Sequence, residues 1–348
     1  MLKGRGAQYN PGNPFSRQEI VKDHSEGIDI ETSEENPKVQ LFYETVKNPI
    51  STNSSPDLHL GYSINPYQGC EHGCVYCYAR NSHTYWGFSA GLDFESKIIV
   101  KKDIANQLEK RLLSPNWKCQ PIMLSGNTDC YQPTERKLRL TRQILEKALK
   151  FKNPVSIITK NALISRDVDL LTLLAEDNLV QVYFSITTLD EKLRRLLEPR
   201  TANAQKKLEV IKLFSERGIP VGIMNAPIIP GLNHHETPKI LENAAQAGAL
   251  GAGYTVVRLN GQTGVLFKDW INKHFPDRAQ KVIHQVEAMH DGRLNDSEWG
   301  RRLKGAGNYS LMIEQLFKAS KEKFFRDKRM PPLNVTAFRQ GGNYQLFS

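Results

Sequence analysis

The sequence has no long hydrophobic run. It contains no stretch of about 18 consecutive apolar residues, the length at which a helix begins to span a bilayer. The first thirty residues also lack the apolar core of a secretory signal. These absences predict a cytoplasmic protein that makes no membrane contact. Hydrophobic residues form 39% of the chain, enough for a sizeable folded core.

Cysteine is scarce as well. The chain has five cysteines, an odd number, and Cys70, Cys74 and Cys77 lie within eight positions. Disulfide frameworks of small secreted proteins use even numbers of cysteines spread along the chain. The scarcity and the clustering therefore predict a metal or cluster site in a reducing compartment.

Acidic residues are outnumbered by basic ones. The chain has 47 Lys and Arg against 37 Asp and Glu, a net charge of +10, and the stretch from Arg293 to Arg339 holds eleven basic and five acidic residues. A positive surplus attracts polyanions. The charge balance therefore predicts contact with a nucleic acid.

Aromatic residues lie among the cations of residues 318–329. Phe324 and Phe325 are the kind of side chain that stacks on bases when exposed. The alternative is that these rings pack in the core together with Leu316 and Phe317 while the charges face water. The sequence leaves both interpretations open.

Three regions differ in pattern. Residues 1–55 are polar and aperiodic, which predicts an extended arm or a loose wrapping around the core, while residues 276–348 are predicted to form a basic, helical extension. Between them, residues 56–275 alternate short apolar runs with helical patterns. The predicted strands are 60–64, 121–125, 155–159, 180–187, 221–225 and 254–259. The predicted helices are 103–113, 134–151, 166–177, 204–217 and 237–248.

This alternation predicts an α/β fold with a parallel sheet, since parallel neighbours need a crossover connection that a helix usually supplies. Six such units favour a partial parallel (β/α)6 barrel with N- and C-terminal extensions. An open, doubly wound sheet has the same repeat and is the structural alternative. In both folds the chemistry lies at the carboxyl ends of the strands.

The densest motif, residues 65–78, directly follows the first predicted strand. It reads Asn-Pro-Tyr-Gln-Gly-Cys-Glu-His-Gly-Cys-Val-Tyr-Cys-Tyr and carries the three clustered cysteines. Soft thiolates select zinc, copper or iron-sulfur clusters. Structural zinc prefers four ligands and would need His72, Cys119 or Cys130 as the fourth. Three cysteines alone would leave one iron of a cluster without a protein ligand.

The Cys-x3-Cys-x2-Cys spacing after the first strand of a (β/α) repeat resembles the radical SAM superfamily. The wider string, Asn-Pro-Tyr-x-Gly-Cys through Cys-Tyr-Ala-Arg, is similar to a subgroup related to spore photoproduct lyase. The resemblance implies a 4Fe-4S cluster on Cys70, Cys74 and Cys77, with S-adenosylmethionine (SAM) on the fourth iron. It also implies that Tyr76 packs near the adenine and that flavodoxin or ferredoxin donates electrons.

Other SAM-binding candidates follow the later strands. The family often has Gly-Gly-Glu after its second strand to hold the SAM amino group, and here Asn127 and Asp129 take that place, with a turn or helix cap as the alternative. Arg200 is the candidate for the SAM carboxylate, the alternative being a surface ion pair. Ser185 is a cofactor-binding candidate that supplies a hydroxyl near the same predicted face as Arg200. Asn225 is a candidate for the ribose or methionine, the alternative being an ordinary turn residue that ends its strand.

Cys130 is a candidate hydrogen donor to a substrate radical. Photoproduct lyases use a cysteine in the loop after the same strand, but that cysteine aligns nearer Gly126 than Cys130. The alternative is an inert, buried thiol.

The sequence as a whole predicts a radical SAM enzyme that abstracts hydrogen from a substrate, with nucleic acid as the substrate the charge favours. Two alternatives stay open: a radical SAM enzyme acting on a protein or small molecule, and a non-catalytic zinc or iron-sulfur binding module.

Overall fold

A computed structural model describes residues 2–15, 37–57 and 61–341 of the chain. Its strands are β1 (Gln40–Glu44), β2 (Ser51–Thr52), β3 (Tyr62–Ile64), β4 (Tyr67–Gln68), β5 (Lys97–Lys101), β6 (Ile122–Leu124), β7 (Val155–Thr159), β8 (Val180–Ser185), β9 (Val221–Ile228) and β10 (Gly251–Val256).

The helices alternate with these strands, and the last three follow the final strand. They are α1 (Leu92–Ser96), α2 (Ile104–Leu113), α3 (Glu135–Leu138), α4 (Leu140–Phe151), α5 (Val168–Glu176), α6 (Glu191–Leu197), α7 (Ala204–Glu216), α8 (Thr237–Gln246), α9 (Gln262–His274), α10 (Pro276–Met289) and α11 (Gly307–Phe325). Short 3-10 helices cover Tyr78–Trp86, Ala162–Asp167 and His234–Glu236. Within the described ranges, no helix combines the length and the apolar character needed to cross a bilayer.

The central sheet has the order β10-β9-β8-β7-β6-β3-β2. From β3 to β10 every pair is parallel, and only β2 pairs antiparallel with its neighbour. Within this sheet the strands follow one another in chain order, without the reversal of order that defines a doubly wound sheet. The predicted α/β fold with a mostly parallel, barrel-type sheet is confirmed.

The main core lies between the sheet and its helices. Alternate residues of β8, Val182 and Phe184, are fully buried against this layer, and the Phe184 ring lies 6.1 Å from that of Phe214 on α7. Strand alternation sends Tyr183 and Ser185 to the opposite, inner face. That inner face ends at the carboxyl edge where the predicted site residues gather.

Several predicted boundaries need correction. The predicted strand 254–259 is really Gly251–Val256, because two glycines with low strand propensity start it and hide it in the sequence. The predicted helix 134–151 is divided at Arg139, whose φ of 54° breaks the helical path between α3 and α4. Residues 58–60, where the first predicted strand begins, lie outside the described residues.

The N-terminal region is more ordered than its aperiodic sequence predicts. Strand β1 pairs parallel with β5, and β2 extends the central sheet. Arg5 and Ala7 are buried. These segments therefore pack against the folded core through residues that are distant in sequence, and local periodicity does not reveal such partners.

The C-terminal helix α11 packs against α8 and β10. Phe317 and Phe325 are buried, and the Phe317 ring lies 4.5 Å from that of Tyr254. These rings are core contacts, as the alternative interpretation of the C-terminal sequence predicts, and are not available to stack on bases.

The segment after α11 crosses the amino-terminal edge of the sheet. Gln181 Nε2 donates to the Pro331 carbonyl at 2.6 Å, and the amides of Asn334 and Arg339 donate to the carbonyls of Asn178 and Phe151, each at 2.9 Å. Asn178 and Phe151 precede β8 and β7. The C-terminal end of the basic region therefore lies at the edge opposite the carboxyl ends of the strands.

Candidate active site at the carboxyl ends of the strands

The three clustered cysteines lie on one loop between β4 and the 3-10 helix Tyr78–Trp86. We call residues 69–77 the cysteine loop. Its turns are tight: the Gly73 amide donates to the Cys70 carbonyl at 3.4 Å, and the Cys77 amide donates to that of Cys74 at 3.3 Å. Gly73 has a φ of 69°, a conformation that glycine adopts without strain. The loop therefore brings three thiols into one small region.

These thiols lie in a largely water-free environment. Cys70 and Cys74 are buried and Cys77 is half-buried. Burial raises the pKa of each thiol, and the neighbouring thiols raise that of Cys70 further, so the three sulfurs lie within electrostatic range of one another. Neutral thiols result, and they would lose their protons on binding a metal.

The donor set fits an iron-sulfur cluster. Three soft sulfur ligands on one buried loop are the ligand type that such clusters use. In the described part of the chain, no three His, Cys, Asp or Glu side chains already stand in metal-binding geometry. The cysteine loop therefore fits an iron-sulfur cluster through the type of its donor atoms and through its position in the fold.

A buried ion pair holds the cysteine loop in place. Arg80 and Glu95 are both fully buried and their side chains meet at 2.5 Å. Arg80 also donates to the carbonyls of Cys74 at 2.8 Å and Gly73 at 3.1 Å. The pair thus connects the loop directly to α1.

The same carboxylate binds the N-terminal segment. Glu95 accepts hydrogen bonds from the amides of Gly6 at 3.1 Å and Ala7 at 2.8 Å. A Cβ atom on Gly6 would lie 1.8 Å from the Gly73 carbonyl oxygen, so only glycine permits this approach. The N-terminal segment therefore lies directly against the cysteine loop.

A second polar network lies beside the loop. The Lys160 ammonium lies 3.1 Å from Thr187 Oγ1, 3.2 Å from the Ala226 carbonyl and 3.3 Å from the Glu198 carboxylate. The Tyr76 hydroxyl donates to Glu198, and Lys160 Nζ is 5.6 Å from the centre of the Tyr76 ring. The network joins the cysteine loop to the carboxyl ends of β7, β8 and β9.

Glu198 carries the negative charge of this network. Burial raises its pKa, but the ammonium groups of Lys160 and Lys207 and the hydroxyls of Tyr76 and Thr187 lower it to about 2. Lys207 is also buried, and its pKa is lowered by burial to about 8, against the opposing effect of Glu198. The carboxylate is therefore ionised at neutral pH.

The sequence did not identify Lys160 and Glu198 as site residues, although both lie next to predicted features. Lys160 immediately follows the predicted strand 155–159, and Glu198 lies two residues before Arg200. A charged residue at the carboxyl end of a barrel strand is the signal that would have found Lys160.

The predicted residues Asn127 and Asp129 differ in their availability. Both Asp129 oxygens already accept hydrogen bonds, from Thr159 and the backbone of Lys160 among others, and Asp129 pairs with His72 at 3.3 Å. Asn127 donates to Gln68 at 3.0 Å, but no described residue donates to its amide oxygen. Asp129 therefore anchors its loop, whereas Asn127 retains a free acceptor.

Three further candidates have different surroundings. Ser185 ends β8 on the inner face. Arg200 Nε donates to the Gly4 carbonyl at 3.1 Å, so its guanidinium faces the N-terminal segment. Asn225 lies inside β9, not at its end, and bridges the Ile186 carbonyl and the Thr237 hydroxyl. Of these three, only Ser185 points toward the inner face of the barrel.

Cys130 belongs to the main core. Its side chain is completely buried, and burial raises the pKa of the thiol well above its usual range. Its amide donates to Ser125 Oγ at 2.7 Å and its carbonyl accepts from Thr141 Oγ1 at 2.6 Å. These surroundings favour the alternative of an inert thiol over that of a hydrogen donor.

The buried Arg80–Glu95 pair makes a first prediction. Glu95→Ala leaves Arg80 charged and buried without its partner, so we expect the free energy of unfolding to fall by roughly 3–5 kcal/mol in urea denaturation. Glu322→Ala is the control, because its pair with Arg326 is exposed and should contribute less than about 1 kcal/mol. Equal losses of unfolding free energy in the two variants would contradict a stabilising role of the buried Arg80–Glu95 pair.

The pKa of Glu198 makes a second prediction. Because folding lowers this pKa from 4.5 to about 2, ionised Glu198 stabilises the protein above about pH 5, and the effect is lost as pH falls toward 2. Glu198→Gln should therefore cost roughly 3 kcal/mol of unfolding free energy at neutral pH and much less in acid. Denaturation of the parent and the variant at several pH values measures the loss of unfolding free energy. A loss that is the same at every pH would contradict the stabilising effect of ionised Glu198. The exposed Glu209→Gln is the control.

Comparison with known proteins agrees with this geometry. The family model described as the radical SAM superfamily matches residues 64–244. A protein of Mycobacterium tuberculosis (strain ATCC 25618 / H37Rv) is 33% identical over 226 residues, which are 64% of this chain and 66% of that protein. A protein of Methanocaldococcus jannaschii is 29% identical over 197 residues, 57% of this chain and 71% of that protein. Both are uncharacterized. The chain spans just under two thirds of the mycobacterial relative.

Among solved structures, a spore photoproduct lyase complexed with dinucleoside spore photoproduct has a TM-score of 0.59 and 16% sequence identity. The match covers 82% of this chain and 79% of that one, and it concerns the fold. Because the family model covers more than half of the sequence and includes the cysteine loop, the chain belongs to the radical SAM superfamily of enzymes.

Proposed function

We propose that the protein holds a 4Fe-4S cluster on Cys70, Cys74 and Cys77, binds SAM beside it, and uses the resulting radical to abstract hydrogen from a nucleic acid. The observation that carries this proposal is the position of the three thiols, two of them buried and one half-buried. They lie on one loop at the carboxyl end of the first parallel strand, next to the charged network of Lys160 and Glu198. Barrel enzymes place their chemistry at this edge.

The protein supplies ligands, shielding and charge. A reduced cluster of this type, when bound, supplies the electron that cleaves SAM to methionine and a 5′-deoxyadenosyl radical. The cysteine loop excludes water, and the Arg80–Glu95 pair fixes the loop backbone. The electron comes from an external reductant such as flavodoxin or ferredoxin.

The geometry also proposes which side chains bind SAM. Lys160 is the cation beside Tyr76 and the cysteine loop, so we assign it to the SAM carboxylate ahead of Arg200, which faces the N-terminal segment. Asn127 can accept from the SAM ammonium through its free amide oxygen. Ser185, on the inner face, is proposed for the ribose.

Nucleic acid is the proposed substrate class for two reasons. The chain carries a net charge of +10, which favours polyanions. The solved lyase of the same fold is complexed with a dinucleoside photoproduct. A protein or small-molecule substrate would need no such charge surplus.

The cluster assignment predicts the composition of the purified protein. Anaerobic protein should contain four iron and four sulfide per chain, in line with a single 4Fe-4S cluster, and Cys70→Ala, Cys74→Ala or Cys77→Ala should lose the cluster. Metal analysis and electron paramagnetic resonance measure this. Cys119→Ala is the control, since Cys119 lies outside the cysteine loop. Stoichiometric zinc without iron or sulfide after reconstitution would refute the assignment.

The SAM assignment predicts a difference between two cations. Lys160→Ala should weaken SAM binding roughly tenfold or more, because a charged hydrogen bond is lost, whereas Arg200→Ala should have a smaller effect. Equilibrium dialysis measures the affinity, and the cluster spectrum confirms that each variant is loaded. A larger loss of SAM affinity in Arg200→Ala than in Lys160→Ala would assign the SAM carboxylate to Arg200, the candidate predicted from the sequence.

A further inference from the structure

The two edge strands of the central sheet, β2 and β10, are connected through the residues that follow them. Asp57 follows β2 at one edge, and the loop 290–306 runs from the other edge, where the Val256 amide donates to the Leu303 carbonyl at 2.9 Å. Arg302 Nε donates to Asp57 Oδ2 at 2.7 Å, and the Gly300 amide donates to Asp57 Oδ1 at 2.6 Å. The loop 290–306 therefore bridges the opening between the edges, which we call the seam.

An exposed indole lies on this bridging loop. Trp299 is 56% exposed, and the Arg302 guanidinium lies 4.5 Å from its ring centre. An exposed indole presents a large flat apolar surface with one polar N–H, which suits it to contact with a ligand. The guanidinium covers part of the ring and leaves the rest of its surface available.

A second guanidinium lies between Trp299 and the cysteine loop. Arg258 follows β10, and its guanidinium lies 6.0 Å from the ring centre of Tyr78, the residue after Cys77. No carbonyl or carboxylate in residues 2–15, 37–57 and 61–341 accepts a hydrogen bond from Arg258. Burial and the nearby charge of Arg302 both lower the pKa of Arg258, which places the two cations within electrostatic range.

The Arg258 guanidinium and the exposed indole suit one class of ligand, while Arg302 is held by Asp57. Guanidinium groups bind phosphates through paired hydrogen bonds, and exposed aromatic rings stack on unpaired bases. A small carboxylate ligand would engage the cation but would leave the indole unused. The combination therefore favours a single-stranded nucleic acid.

We propose that the seam is the nucleic-acid binding site, where Trp299 stacks on an unpaired base and Arg258 binds an adjacent phosphate. This proposal rests on the proposed function and specifies where its substrate binds. The path from Arg258 to Tyr78 leads directly to the cysteine loop, so a base held at the seam is brought toward the site of radical formation.

The cations near the C-terminus lie elsewhere. Lys321, Lys328 and Arg329 line a cavity of about 480 Å³ together with Gly251, the first residue of β10. This cavity lies at the amino-terminal edge of the sheet, and the adjacent Phe325 is buried. The lining of this cavity carries positive charge but includes no exposed aromatic ring, whereas the seam has both a cation and an exposed indole.

The test measures the affinity of the cluster-loaded protein for a fluorescein-labelled single-stranded oligonucleotide by fluorescence anisotropy. Trp299→Ala should weaken binding roughly tenfold, whereas Trp299→Phe, which keeps a ring, should retain most of the affinity. Arg258→Gln should reduce the slope of log affinity against log salt by about 0.7, the value for one phosphate contact on a single strand. Trp86→Ala is the matched control, because Trp86 is 41% exposed but lies outside the seam.

The outcomes separate this proposal from the proposed function. Unchanged affinity in Trp299→Ala would overturn the seam site. A loss confined to a variant with Lys321, Lys323, Lys328 and Arg329 all changed to Ala would move the contact to the amino-terminal edge. If the parent protein binds no DNA or RNA strand, the nucleic-acid site is wrong, while SAM cleavage by the parent without oligonucleotide tests the radical chemistry independently.

Discussion

The buried ion pair of Arg80 and Glu95 is the constraint on which the cysteine loop depends. Two charges without water are costly unless every polar atom finds a partner. Here the guanidinium binds the loop carbonyls, and the carboxylate binds the amides of Gly6 and Ala7. The requirement to satisfy one ion pair thus fixes the loop, the helix α1 and the N-terminal segment together.

The Lys160 and Glu198 network extends this order across the sheet. Its members come from the cysteine loop, from the residue after α6 and from the ends of three neighbouring strands, so side chains connect these strand ends to one another. As a result, the Lys160 ammonium is held in place beside the three neutral thiols of the cysteine loop. Preorganised charge of this kind needs little rearrangement when a charged ligand arrives.

The parts of the fold with a local signature were predictable. Cysteine spacing identified the loop, and the alternation of strand and helix patterns identified the parallel sheet. Both patterns are formed by residues that are neighbours in the sequence. The pairing of β1 with β5 and the burial of Glu198 against Tyr76 and Lys160 were not predictable, since these partners are remote in sequence. The rings of Phe317 and Phe325 show the same limit, because helical spacing alone does not distinguish a packed ring from an exposed one.

The contact of Gly6 and Ala7 with Glu95 also sets an order of events during synthesis. These partners lie 88 and 89 residues apart. The N-terminal segment is therefore made well before its carboxylate exists and cannot dock until α1 has formed. The cysteine loop is made in between, so this side of the loop stays uncovered by the N-terminal segment until the chain has passed Glu95.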